Sequence, residues 1–271
     1  MSLTPQERAK REDFDRQYRQ GQLAPVQAVE RAVCGCDYGG TSWATRDEAD
    51  RIAAALELGP HRSLLEIGAG SGWPGLYLAR HSGCRATLTD LPPGALEIAM
   101  QRARQDGIAA RCTAVVADAA QLPFPAASFD AINHSDVLCC LVQKHAVLAE
   151  CRRVIRPTGR MAFSVIYIAA GLSPQDHAEA ADTAPEFAET DIAYPDLIAA
   201  TGWGIRARHD LTPEFTANCR EKIRIEENLR AELEPLTTAA EFDARQTRMR
   251  RRIDVLERGH MRRELFVVDP L

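Results

Sequence analysis

Residues 64–75 read Leu64-Leu65-Glu66-Ile67-Gly68-Ala69-Gly70-Ser71-Gly72-Trp73-Pro74-Gly75, and the way this stretch folds sets everything around it. The apolar run Leu64, Leu65 and Ile67 suits a central parallel strand buried on both faces. Gly68, Gly70 and Gly72 let the chain turn tightly and bring bare backbone against a ligand. Pro74 suits the start of the next helix, where a backbone N–H would be unpaired anyway. The open helix N-terminus favours a negative ligand group. A second strand then ends at Asp90, where a carboxylate can accept from both ribose hydroxyls. These features predict a site for an adenosine-containing cofactor.

Two details separate this pattern from a dinucleotide site. Gly70 to Gly75 formally satisfies the Gly-x-Gly-x-x-Gly fingerprint, but the glycine that directly follows the strand is Gly68. Counted from Gly68, the third required glycine is missing at position 73, which is tryptophan. Glu66, two residues before that glycine, would repel a pyrophosphate and attract a sulfonium or ammonium.

Leu64 to Gly72 resembles the first motif of the class I S-adenosylmethionine-dependent methyltransferases, small-molecule type. The resemblance continues in order through Asp90, Ala117-Asp118-Ala119, Leu122-Pro123-Phe124-Pro125, Ser128-Phe129-Asp130-Ala131-Ile132 and Val154-Ile155-Arg156-Pro157-Thr158-Gly159-Arg160. It implies an α/β Rossmann-like, doubly wound, mostly parallel sheet with an antiparallel last strand. It also implies S-adenosylmethionine as cofactor. Glu66, Gly68, Ala69, Gly70 and Gly72 would surround the methionine part, and Asp90 with Leu91 the ribose. Asp118 with Ala119 would meet the adenine, and the strand end from Asn133 to Ser135 would face the sulfur.

Composition fits such an enzyme without indicating it. The 271 residues are 45% hydrophobic and 26% charged, an ordinary globular balance with ample core. A net charge of −5 gives no general pull toward nucleic acid or an anionic membrane. The eight cysteines are scattered, and the charged start Gln6 to Asp13 does not read as a signal peptide, so a cytoplasmic location is expected. No apolar run approaches the ~20 residues that span a bilayer. Cys34-Gly35-Cys36 and Cys139-Cys140 match no zinc spacing, so no metal is expected. The basic run Arg248 to Arg252 lacks interleaved aromatics and reads as a solvated helix face rather than an RNA site.

Three regions are expected: an N-terminal helical cap over 1–45, a cofactor-binding core over 46–168, and a C-terminal part over 169–271. In the cap, Phe14, Tyr18 and Leu23 are candidate inward positions. The core alternates strands near 63–67, 85–89, 112–116, 129–134 and 160–168 with helices near 74–81, 93–106 and 143–154, a parallel-sheet pattern. In the last part, 169–190 reads as a mobile connection or lid. Charged helices over 213–258 interrupt the hairpin of the last two strands, either covering an edge or forming a substrate cover or dimer surface.

Methyl transfer is an in-line displacement, and it needs a base only where the acceptor must lose a proton. His134 is the candidate base, with packing beside the cofactor as the alternative; Asp136 reads as a helix cap. Tyr18 can reach over the cofactor from the N-terminal helix. Gly39-Gly40-Thr41-Ser42-Trp43-Ala44-Thr45 resembles the loop that closes near the methyl group in small-molecule members. Trp43 and Tyr167 are the candidate acceptor contacts. The acceptor is expected to be a small molecule methylated at N or O, with ring C-methylation or silent cofactor binding as alternatives. Oligomeric state is left open.

Overall fold

The computed structural model describes residues 5–271, with side chains from residue 11 onward. Its seven strands are β1 (Ser63–Ile67), β2 (Arg85–Asp90), β3 (Cys112–Val116), β4 (Phe129–Ser135), β5 (Ile155–Ile168), β6 (Trp203–Asp210) and β7 (Met261–Pro270). They form one sheet in the order β3-β2-β1-β4-β5-β7-β6. The first five run parallel, whereas β7 lies antiparallel between β5 and β6. This is the doubly wound sheet with an antiparallel last strand that the resemblance implies, and it puts the ends of β1 and β4 side by side at the point where the winding reverses. Open α/β sheets bind ligands at such a crevice.

Side-chain alternation builds a core on each face of the sheet. Leu65, Ile67, Ile132 and Phe163 face one side, whereas Leu64, Ala131 and Ala162 face the other. The second face is covered by α3 (Arg46–Ala55), α4 (Gly75–Ser82) and α5 (Pro93–Gln105) through Ile52, Leu76 and Leu96. The first is covered by α6 (Lys144–Val154), α7 (Pro174–Thr183), α8 (Tyr194–Ala200), α9 (Thr212–Asn228) and α11 (Ala239–Glu257). A short α10 (Arg230–Leu233) joins the last two. N-terminal to all of these lie α1 (Pro5–Gly21) and α2 (Ala24–Cys34).

The N-terminal cap is helical as expected, in two helices separated by a turn at Gln22-Leu23 before Pro25 opens α2. Other expectations need correcting. Tyr18 is buried there, but Leu23 sits at that turn and is exposed. Residues 169–190 contain α7, capped by Ser173 accepting from the Asp176 N–H at 3.2 Å, with Ala180, Thr183, Ala184 and Ala188 buried. The basic run on α11 is not simply solvated. Arg248 donates to the Asp182 and Ala184 carbonyls, Arg252 to the Thr183 carbonyl, and Arg251 pairs with Asp182 at 2.6 Å. These arginines satisfy the open carbonyl end of α7, where cations are favoured. Arg252→Ala is expected to cost about 1.5–3 kcal/mol, a typical charged hydrogen-bond loss. Urea unfolding followed by circular dichroism measures it.

Candidate active site

The turn after β1 is built so that backbone faces an open space. Gly68 and Gly70 have φ of 63° and 52°, in the left-handed region that favours glycine. A Cβ on Gly68 would lie 2.5 Å from Val137, and one on Gly70 would lie 2.6 Å from the Tyr18 ring. Asp90, at the end of β2, locks this turn by accepting from the Gly70 N–H at 2.7 Å and the Leu91 N–H at 2.8 Å. Each carboxylate oxygen thereby keeps a lone pair for a ligand. Burial pushes the Asp90 carboxyl up to about 6, against the lowering effect of those two N–H groups.

A cavity of about 600 Å³ opens along this turn. Its polar half is lined by Gly68, Ala69, Gly70, Ser71, Asp90, Leu91 and Asp118. Tyr18 closes over it from α1, with its hydroxyl accepting from Thr41 at 3.4 Å. Ser71 and Ser135 present buried hydroxyls toward it, with no partner among the described residues. The other half is largely apolar, with Trp43, Leu141, Val147, Ile166, Pro185 and Phe187 as walls. Pro185 and Phe187 come from the segment after α7, which therefore reaches the cavity.

The structure gathers Tyr18, Trp43, Gly68, Ala69, Gly70, Asp90, Leu91 and Asp118 around this one space. Other expected residues do not line it. Gly72 meets Leu76 and Ala99 instead, so its missing side chain serves helix packing. Ala119 is passed over for Ala120, whose N–H donates to Asp118 at 2.9 Å. Glu66 is fully buried beneath α4, with its Cγ 3.0 Å from where a Gly75 Cβ would stand. Asn133 donates to both its oxygens, yet burial pushes its carboxyl up to about 8. Burial thus favours its neutral form over the charged one. Glu66→Gln is expected to leave cofactor affinity within about twofold, since the amide matches the neutral acid; titration calorimetry tests this.

His134 also needs correcting as a base. It is fully buried, stacks on Phe163 with ring centroids 4.8 Å apart, and lies outside the cavity wall. Neither ring nitrogen has a partner among the described residues, and burial pushes its pKa down to about 3. Tyr167 likewise turns away, donating to Glu264 at 2.8 Å. His134→Phe is expected to keep turnover within about threefold, because the ring lies outside the cavity wall. Steady-state kinetics decide that; a drop of two orders of magnitude would restore the base assignment.

Asp136 is not a helix cap. Its φ is 56°, and its carboxylate meets Arg263 at 2.9 and 3.0 Å, Ser164 at 3.2 Å and the Trp43 N–H at 3.2 Å. Arg263 in turn donates to both oxygens of Glu48 on α3, at 2.7 and 2.9 Å. Sequence reasoning missed Arg263 and Glu48. A signal was present, since Arg263 shares its β7 face with the buried Leu265 and Val267. The Thr45 cap of α3 is as expected, accepting from the Glu48 N–H at 3.1 Å. The eight cysteines form no disulfide, and among the described residues no group of His, Cys, Asp and Glu is arranged to hold a metal. No described helix is long and apolar enough to cross a membrane.

Residues 65–163 match the family model described as a methyltransferase domain. Over that stretch the chain carries a methyltransferase domain, and its sheet has the class I methyltransferase fold. Methyltransferase GfsG of Streptomyces halstedii is 30% identical over 119 residues, 44% of this chain and 43% of that protein. The 27-O-demethylrifamycin SV methyltransferase of Amycolatopsis mediterranei (strain S699) is 34% identical over 119 residues, 44% of each chain. The alignments thus span less than half the length of these curated relatives. Among solved structures, the geranyl diphosphate C-methyltransferase of Streptomyces coelicolor A3(2) superposes with a TM-score of 0.72 over the full length of both chains, at 16% identity. That likeness shows the fold alone. The proteins it resembles differ in whether oxygen or carbon accepts the methyl group, so the similarity does not fix the acceptor atom.

Proposed function

We propose that this methyltransferase transfers a methyl group from S-adenosylmethionine to nitrogen or oxygen of a small, largely apolar molecule. The carrying observation is one cavity lined both by the glycine turn with Asp90 and by apolar side chains such as Trp43, Ile166 and Phe187. Bound S-adenosylmethionine supplies a methyl carbon on a sulfonium, open to attack from the side opposite the sulfur.

The chain's own residues would hold the cofactor as follows. Gly68 and Gly70 let the turn pack under Val137 and Tyr18, where a Cβ would collide, and so line the space for the methionine part with backbone. Asp90 accepts from the ribose hydroxyls, and Asp118 marks the adenine end. The unpartnered Ser71 and Ser135 hydroxyls are available to polar groups of the same ligand. Tyr18 excludes water from above. Trp43, Ile166 and Phe187 then orient the acceptor by apolar contact, and holding both reactants in line supplies much of the acceleration.

The acceptor half favours nitrogen or oxygen over a ring carbon that must first lose a proton. Asp136 is engaged by Arg263, Ser164 and Trp43, and His134 lies outside the wall. Burial pushes the Tyr18 hydroxyl up, and the Cys140 side-chain hydrogen bond together with burial pushes the Cys139 thiol up, both away from deprotonation at neutral pH. The acceptor would therefore bring its own lone pair, as a neutral amine or a phenolate does.

The test is a panel of apolar phenols, amines and carboxylic acids incubated with S-adenosylmethionine, with S-adenosylhomocysteine and methylated product read by mass spectrometry. Product from the phenols or amines, with a pH–rate profile following the acceptor's own ionisation, is the expected result. Cofactor binding without turnover of any of them would overturn the reading.

A further inference from the structure

Three polar groups that sequence reading left apart meet in the core behind the acceptor wall. Arg263 is 1% exposed, Glu48 is 1% exposed and Asp136 is 9% exposed. They come from β7, α3 and the end of β4. The guanidinium uses both edges of its fork, one on Glu48 and the other on Asp136. Such bidentate contacts fix orientation as well as charge.

This arrangement holds the loop 39–45 at two points. At one end, Glu48 sits in the first turn of α3, directly after the Thr45 cap. In the middle, Asp136 Oδ2 takes the Trp43 N–H at 3.2 Å. The same oxygen accepts from Arg263 Nη2 at 3.0 Å. Arg263 therefore ties the Trp43 backbone and the start of α3 to one rigid group. From outside, Phe215 on α9 meets the edge of the Trp43 ring at a centroid distance of 4.9 Å, with Arg263 6.0 Å from the Phe215 ring. The helices between β6 and β7 contribute no residue to the cavity wall, but through Phe215 they back the residue that does.

We infer that the Glu48–Arg263–Asp136 cluster is a positioning device for the acceptor, fixing Trp43 and the loop 39–45 at the depth the methyl transfer needs. It rests on the proposed methyl-transfer reading only for its kinetic consequence; its structural consequence stands alone. Asp136 also lines the cavity, so it must be distinguished from a general base. A carboxylate already accepting four hydrogen bonds has no lone pair left for an acceptor proton.

The test uses Asp136→Asn and, because that position is buried, Glu48→Gln as a second variant whose side chain does not line the cavity. Hydrogen exchange is read by mass spectrometry on peptides spanning 40–45 and, as an internal control, 63–67. Both variants are expected to exchange several-fold faster over 40–45 with the control strand unchanged. Acceptor KM should rise about tenfold in each while kcat falls less, as loss of positioning before chemistry requires. S-adenosylhomocysteine affinity should stay within about twofold, since the polar half is untouched. Unchanged exchange and unchanged KM in a folded Glu48→Gln protein would overturn the inference. A collapse of kcat in Asp136→Asn alone, with the pH profile flattened, would instead make Asp136 a base. If no acceptor is turned over by the parent protein, the function reading fails, whereas the exchange result still decides the loop.

Discussion

Asp90→Ala is expected to weaken S-adenosylmethionine binding roughly 100-fold, the loss of two charge-assisted hydrogen bonds at about 1.5–3 kcal/mol each, offset in part by water. The alanine removes more than a ribose contact. It also frees the Gly70 and Leu91 N–H groups that hold the glycine turn in its left-handed conformation. Both losses act on the cofactor half, so acceptor contacts at Trp43 and Phe187 should be spared. Titration calorimetry with S-adenosylhomocysteine measures the effect, and a change under threefold would remove Asp90 from the site.

The same carboxyl gives a pH signature. Ribose hydroxyls donate, so the ionised form of Asp90 binds best, and burial has raised its pKa from 3.8 to about 6. Affinity should be full above pH 7 and fall progressively as pH drops through about 6. Binding at pH 6 should release protons, visible as a heat that depends on the buffer's ionisation enthalpy. The stability linkage has the opposite sense. Because the folded pKa lies above the unfolded one, this group's cost is absent below about pH 4 and fully present above about pH 6. Asp90→Asn should abolish the pH dependence of binding while keeping the fold.

What could be read from sequence follows from how local the cause is. Gly68, Gly70 and Asp90 were legible because a tight turn and its bracing carboxylate lie within one β-α-β unit. Trp43 was legible as a loop residue after a glycine pair, though nothing local says that Asp136 anchors it. His134 was misread because its position near a strand end gives depth in the fold but not facing. On β4 it shares the face of Ile132, which belongs to the core beneath α6, and the cavity begins only at Ser135. Glu66 shares the face of Leu64 and is sealed under α4, where desolvation outweighs any attraction for a distant sulfonium. The helix inside 169–190 was not legible for a different reason. An Ala- and Pro-rich segment is ambiguous until the arginines of α11, some 70 residues away, arrive at the carbonyl end of α7.

Arg263→Met is expected to destabilise the protein by about 3–5 kcal/mol, the cost of breaking a buried pair by removing one partner. Methionine nearly fills the volume, so the loss is electrostatic rather than a cavity. Glu48 and Asp136 would remain with their shared counter-charge gone, and Glu48 is too buried for water to replace it. Burial alone already pushes the Glu48 carboxyl up, with Arg263 opposing it. Without the guanidinium, the Glu48 carboxyl would rise further and take up a proton in the folded state. Its cost is then absent below the unfolded carboxylate range and fully present above the raised folded value. The gap in melting temperature should therefore be largest near pH 8, on the order of 10 °C for a chain of this size, and narrow markedly toward pH 4.5. Thermal melts across that range test the claim. A gap that does not vary with pH would mean that the methionine variant fails by shape, and that the guanidinium is not what holds α3, β4 and β7 together around the acceptor wall.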